Sequence, residues 1–283
     1  MMGFPNLFRI HLGDPVETFI KWITINYEGF FDSIKGIILW FLIGIQRGLI
    51  AIPWFVLLIL LFLIGWKVKS IKAGISFSLM LLTIGLLGYW NDTMLTLAIV
   101  LTSVLISLII GIPIGIFSAY KEKFERYSKP VLDAMQTMPS FVYLIPAIML
   151  FGLGSVPAVF ATMIYSLPPV IRLTTLAIKS VSSEMLEAAN SFGATQWQIL
   201  IKVELPQALP TIMAGVNQTT MMAMSMVVIA SMIGAKGLGY NVLIAINRTD
   251  IGMGVEAGTS IVLLAIIIDR LTQAIGSKFE IEK

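Results

Sequence analysis

Residues able to do covalent or metal chemistry are scarce in this chain of 283 residues. It has no cysteine, which removes thiolate metal sites, cysteine nucleophiles and disulfide frameworks. Its one histidine, His11, sits near the N-terminus. A histidine-centred metal site or a Ser-His-Asp relay is not supported by that position. No GxxxxGKS or GxxxxGKT phosphate loop, HExxH pair or aspartate-rich cluster occurs. The chain is therefore expected to hold no metal, cofactor or nucleotide of its own. Charges inside apolar stretches are functional candidates because a charge is costly in lipid. Here they are Arg172 and the pair Asp269-Arg270, all toward the ends of their stretches. Snorkelling to the interface accounts for each of them. An ion-coupled carrier calls for carboxylates or broken helices at mid-membrane, and no apolar stretch has a carboxylate near its centre.

One polar stretch carries a specific pattern. From Lys179 to Ala208 the sequence reads KSVSSEMLEAANSFGATQWQILIKVELPQA. Ser182 or Ser183 can cap a helix whose early turns suit the carboxylates that follow. Gly193 is a helix-stop residue. A second helix over roughly 195–204 is expected to end before Pro206. Two short helices about a glycine bend make a rigid protrusion, and small Ala188 and Ala189 would let another surface approach closely. The stretch reads as a docking knob for a cytoplasmic partner. The alternative is a pair of interfacial helices serving packing alone.

The elements that must position these residues are membrane helices. Hydrophobic residues make up 57% and charged residues 12%, against about 25% charged in ordinary soluble domains. Mean hydropathy is +0.91. Such a chain lacks the polar groups to cover a soluble surface and the charge to stay disordered. The net charge of +3 fits basic cytoplasmic loops better than nucleic-acid binding. Apolar runs at 53–66, 73–90, 94–119, 139–154, 157–178, 208–234 and 258–276 predict about seven spans in an all-α membrane protein. Segment 34–52, interrupted by Gln46 and Arg47, reads as an interfacial helix, with a span as the alternative. Residues 16–31 have the spacing of an amphipathic surface helix, the alternative being a frayed tail. No signal peptide is evident.

Alternate loops hold Lys67, Lys69, Lys72, Lys121, Lys123, Arg126, Lys129, Lys179, Lys202, Lys278 and Lys283, whereas the opposite loops hold Lys236 and Arg248. The positive-inside rule then predicts a cytoplasmic C-terminus. With seven spans the N-terminus lies outside, and an eighth span at 34–52 would return it to the cytoplasm. Arg9, Lys21, Lys35 and Arg47 weaken the rule near the N-terminus.

Glu187-Ala188-Ala189, three residues, Gly193, nine residues, Val203, one residue and Leu205-Pro206 closely resemble the EAA motif of ABC importer permeases. Val203 stands where that pattern has isoleucine. The resemblance covers about 92–276 and implies a type I (MetI-like) permease core. It also implies that loop 179–208 docks into a cleft on an ATPase subunit. Stretches 133–174 and 212–239, with the long N-terminal region, are similar to glycine betaine permeases of the OpuA/ProW type. The implied organisation is an N-terminal tail with amphipathic or interfacial helices (1–52), two extra helices (53–91), the permease domain (92–276) and a cytoplasmic tail (277–283).

The same resemblance implies a bacterial cell-membrane subunit without catalysis. ATP and Mg would sit on the partner ATPase, and a separate extracytoplasmic binding protein would deliver the osmolyte. A single EAA-like motif implies a homodimer. Choline, carnitine, an amino acid or a sulfonate are alternative solutes, and an ATPase-independent carrier or channel is the alternative class. Met221, Met222 and Met224, with Asn217 and Gln218, are candidates for a soft pathway lining. Packing between subunits is the competing reading of the same methionines.

Overall fold

The computed structural model describes residues 13–278. His11, Arg9 and Lys283 lie outside the described residues. Those described are helical throughout their regular structure, with no strand among them. The N-terminal part comprises α1 (Gly13–Asn26), α2 (Glu28–Ala51), α3 (Trp54–Val68) and α4 (Ile71–Leu86). Helices α5 (Trp90–Tyr120), α6 (Glu122–Thr137), α7 (Leu144–Phe151) and α8 (Ser155–Lys179) follow. Next come α9 (Ser183–Ser191), α10 (Gln196–Ile199), α11 (Leu205–Ala230), α12 (Leu238–Arg248) and α13 (Ile251–Ser277).

The centre of the molecule is α8, packed between α5 and α11, with α13 against the other side of α11. Apolar surface drives none of this packing in lipid, where tails are as apolar as leucine; close approach and interhelical hydrogen bonds do. The α5–α8 contact shows both. Hydroxyls of Ser103 and Ser107 donate to the carbonyls of Val159 and Met163 at 3.3 and 3.1 Å. Thr175 donates to the Gly115 carbonyl at 3.0 Å. Gly111 and Gly115 leave the space that Val170 and Thr174 occupy.

Among the described residues, five helices are long and apolar enough to cross a membrane: α2, α5, α8, the continuous run Gln196–Ile233, and α13. A sixth crossing arises if the bent pair over 122–151 is one span. Three parts of the chain bear on this count. Segment 34–52, read as interfacial, belongs to a single 24-residue helix, α2, which buries Ile38 and Leu42 and packs on α5. The runs at 53–66 and 73–90 form a tight hairpin of 15- and 16-residue helices. At 1.5 Å per residue each is about 22–24 Å long, short of a ~30 Å hydrocarbon core. The run at 139–154 is short: a 3₁₀ turn at Ser140–Tyr143 continues into the eight-residue α7, and this unit leaves α6 at 109°. Pro139 supplies no backbone N–H to continue α6 and holds φ at −56°, which sets the bend.

Candidate functional site

Helix α9 carries Glu187, Ala188 and Ala189, and none of its residues is buried. Ser182 is the N-cap residue, yet its side chain caps no backbone N–H; its hydroxyl faces Glu184 at 3.3 Å. The helix closes on Gly193, whose φ of +75° lies in the left-handed region where a side chain is strained. The amides of Phe192 and Ala194 return to the carbonyls of Ala188 and Ala189 at 3.1 Å each, so the bend is tied to the motif itself.

The next turn starts with a capping box. Thr195 accepts from the Gln198 amide at 3.3 Å, and the Gln198 side chain accepts from the Thr195 amide at 2.9 Å. The spacing T-x-x-Q is the sequence signature of this box. The expected stop before Pro206 does not occur. A π-helical turn over Leu200–Glu204 leads into α11, and Pro206 falls in its first turn, where no intrahelical N–H is required. Gln196–Ile233 is therefore one run of 38 residues, about 57 Å long. Nearly half of it extends beyond a ~30 Å hydrocarbon core, so the loop is a rigid continuation of a membrane helix.

Among the motif residues, Glu187, Ala188, Gly193 and Pro206 are exposed, while Ala189, Val203 and Leu205 are half-buried. Two aromatic side chains missed from the sequence flank the bend: Phe192 is 93% exposed and Trp197 69%. Met185 is exposed on α9 as well. Large apolar side chains bared on a polar, capped protrusion mark a surface that another surface covers. Their signal in the sequence is two aromatics within a polar loop around a glycine.

Charge pairs brace the base of this protrusion. Arg172 of α8 donates to Asp133 of α6, and Lys179 donates to Glu125. Arg172 is thus partnered instead of merely snorkelling. Both pairs are partly exposed and contribute little stability individually. Their effect is to hold α6 along the end of α8.

The pathway candidates on α11 divide. Met224 is buried in the core together with Met226. Met221 and Met222 are half-buried, and Gln218 is exposed. The Asn217 side-chain amide donates to Asp269 at 3.2 Å and its oxygen accepts from the Thr272 hydroxyl, so this group ties α11 to α13. Gln273 donates to the same Asp269 oxygen at 2.8 Å. Ala214, Gln218, Ser225 and Met232 remain exposed at helical spacing, with Met221 and Met222 beside them. The outward stripe of α5 is by contrast Leu101, Leu105 and Ile109, a composition suited to lipid.

The family described as "Binding-protein-dependent transport system inner membrane component" matches residues 111–281. The chain belongs to this family. It is a multi-pass membrane permease of a bacterial transporter, and ATP hydrolysis belongs to a separate subunit. The permease is 47% identical to the glycine betaine transport system permease protein OpuAB of Bacillus subtilis (strain 168), over 95% of this chain and 96% of that one. It is 48% identical to the glycine betaine/proline betaine transport system permease protein ProW of Escherichia coli (strain K12), over 96% of this chain and 80% of that one. Its fold resembles a solved structure of the MetNI methionine ABC transporter in inward-facing conformations. That likeness has a TM-score of 0.60 and 21% identity, covering 66% of this chain and 94% of the other. It bears on the fold alone, which is the MetI-like core expected from the motif.

Proposed function

We propose that this permease forms the membrane pathway of an ATP-driven importer of glycine betaine, working as a homodimer with two ATPase subunits and an extracytoplasmic binding protein. The observation that carries the coupling role is the capped, glycine-bent protrusion at 183–199. It bares Phe192 and Trp197 and continues without interruption into a 38-residue helix. A partner cleft that closes around such a protrusion moves the membrane helix with it, a rigid-body switch. Glu187, Ala188, Ala189 and Gly193 would form the contact, with Val203, Leu205 and Pro206 setting its root. The solute assignment rests on the names of the relatives at 47% and 48% identity. The exposed stripe of Gln218, Met221, Met222, Ser225 and Met232 supports a pathway or subunit face on α11, because it is more polar and adaptable than the α5 stripe. ATP-dependent uptake of labelled glycine betaine, with choline, carnitine and methionine as competitors, tests both parts. Competition by methionine alone would reassign the solute.

The C-terminus is assigned to the cytoplasm by the basic loops. For the N-terminus, the support comes from α2. The α3–α4 hairpin enters and leaves on one side whether or not it crosses, so it does not change the parity. With seven spans the N-terminus lies outside. The length of α2, 24 residues, supports a crossing before the hairpin; with the bent pair over 122–151 counted as one crossing, the number is even and the N-terminus lies on the cytoplasmic side. Membrane-impermeant labelling of cysteines introduced at Asp14 and Lys278 should then protect both in intact spheroplasts. Labelling at position 14 alone would restore α2 to the interface and the N-terminus to the outside.

A further inference from the structure

Glu204 is a carboxylate where the physics disfavours one. It is 4% exposed and lies at the end of the π-helical turn joining the protrusion to α11. One helical turn to either side stand Leu200 and Ala208, members of a small buried cluster with Ala177 and Ile178 of α8. Ile112, Ile116 and Ala119 of α5 pack against that cluster. Its hydrogen-bond partner is the hydroxyl of Tyr120, the last residue of α5, which donates to Oε2. Among the described residues this is the one side-chain hydrogen bond between α5 and the run from Gln196 to Ala230.

Holding three helices together does not call for such a group. A buried carboxylate is costly to desolvate, and an apolar side chain of similar volume is often neutral or stabilising in its place. The apolar contacts around it are non-directional and let helices slide. A hydrogen bond of a buried carboxylate fixes distance and direction. The π-turn adds to this. One extra residue in the turn rotates everything on its far side by about 100° relative to a continuous α-helix. Glu204 faces α5 while the protrusion keeps its own orientation because that turn is present.

We propose that the Tyr120–Glu204 bond is a strut that transmits displacement of the protrusion at 183–199 to α5, so that both are positioning residues for transport. This rests on the permease reading above. Helix α5 in turn is locked to α8 through Thr175, Ser103 and Ser107. A push on α9 therefore reaches α5 through this one polar contact, and reaches α8 both from α5 and directly from α11, which packs on it.

The test uses the full chain with its partner ATPase and binding protein in proteoliposomes, with labelled glycine betaine and ATP as probes. Solute imported per ATP hydrolysed is the readout. Tyr120→Phe should keep ATPase co-purification and hydrolysis but import about tenfold less solute per ATP, the scale of one lost hydrogen bond to a charged group. Glu204→Gln, with Tyr120 intact, retains an acceptor for its hydroxyl and should keep most of the coupling. The double variant Tyr120→Phe/Glu204→Met replaces the polar pair by apolar groups; it should melt at or above the wild-type temperature and remain uncoupled. If Tyr120→Phe fails to assemble, the double variant decides. Wild-type coupling in the double variant would overturn the strut and leave the permease reading intact. Absence of any ATP-driven uptake by the wild-type assembly would remove both.

Discussion

Replacing Gly115 with leucine is expected to lower the melting temperature and the yield of folded permease sharply. A Cβ at this position would stand 2.6 Å from the Thr174 Cβ and 2.8 Å from the Ile171 carbonyl oxygen. The second of these is backbone of α8, so no rotamer change can clear it. The helices would have to separate, breaking the 3.0 Å bond from Thr175 to the Gly115 carbonyl. It would also open the neighbouring contact where Gly111 faces Val170. Overpacking a tight contact costs about 3 kcal/mol at the upper end of the usual range, roughly a 150-fold shift against the packed state. Size-exclusion profiles and melting temperatures of detergent-extracted protein measure this. Gly44→Leu is the control, because nothing lies within 4 Å of a Cβ there; it should behave as wild type. A monodisperse Gly115→Leu protein with an unchanged melting temperature would mean that α5 and α8 are not apposed as described.

The second large effect concerns the protrusion. Ala189→Trp should lower both uptake and ATPase co-purification while membrane abundance stays near normal, and Ala188→Trp should act in the same direction. Ala188 is exposed and Ala189 half-buried on a helix with no buried residue, so bulk there meets little within this chain. In a partner's cleft it meets a packed surface. An overpacking cost of about 1–3 kcal/mol weakens such an interface about five- to 150-fold. Were α9 lying on the membrane instead, a tryptophan would be tolerated or favoured at the interface. Unchanged co-purification with normal uptake would therefore remove α9 from the ATPase contact.

The sequence was most readable where one residue type decides the outcome. Gly193 marks the bend because only a positive φ closes α9 there, and the apolar runs locate α5, α8, α11 and α13 because lipid imposes helix and length together. Proline was legible in one place and misleading in another. Pro139 bounds the apolar run at 139–154 and is where the chain turns through 109°. Pro206 reads as a stop but sits in the first turn of α11, which the π-turn upstream makes available. Composition leaves segment 34–52 between an interfacial helix and a span because Gln46 and Arg47 interrupt it, whereas the packing of Ile38 and Leu42 is a tertiary fact. Glu204 was invisible for the same reason. A carboxylate near the end of an apolar stretch reads as interfacial, and only the arrival of Tyr120 from 84 residues away shows it buried. Asn217 likewise reads as part of a methionine-rich lining until Asp269 and Thr272 claim its side chain.

The measurement that tests the central claim most directly is uptake of labelled glycine betaine by proteoliposomes containing this permease, its ATPase and its binding protein, with and without ATP inside the ATPase-facing compartment. Accumulation should require ATP, the ATPase and the binding protein together, and should be lost when any one is omitted. Accumulation that persists unchanged with the permease alone would contradict the importer and establish an ATPase-independent carrier.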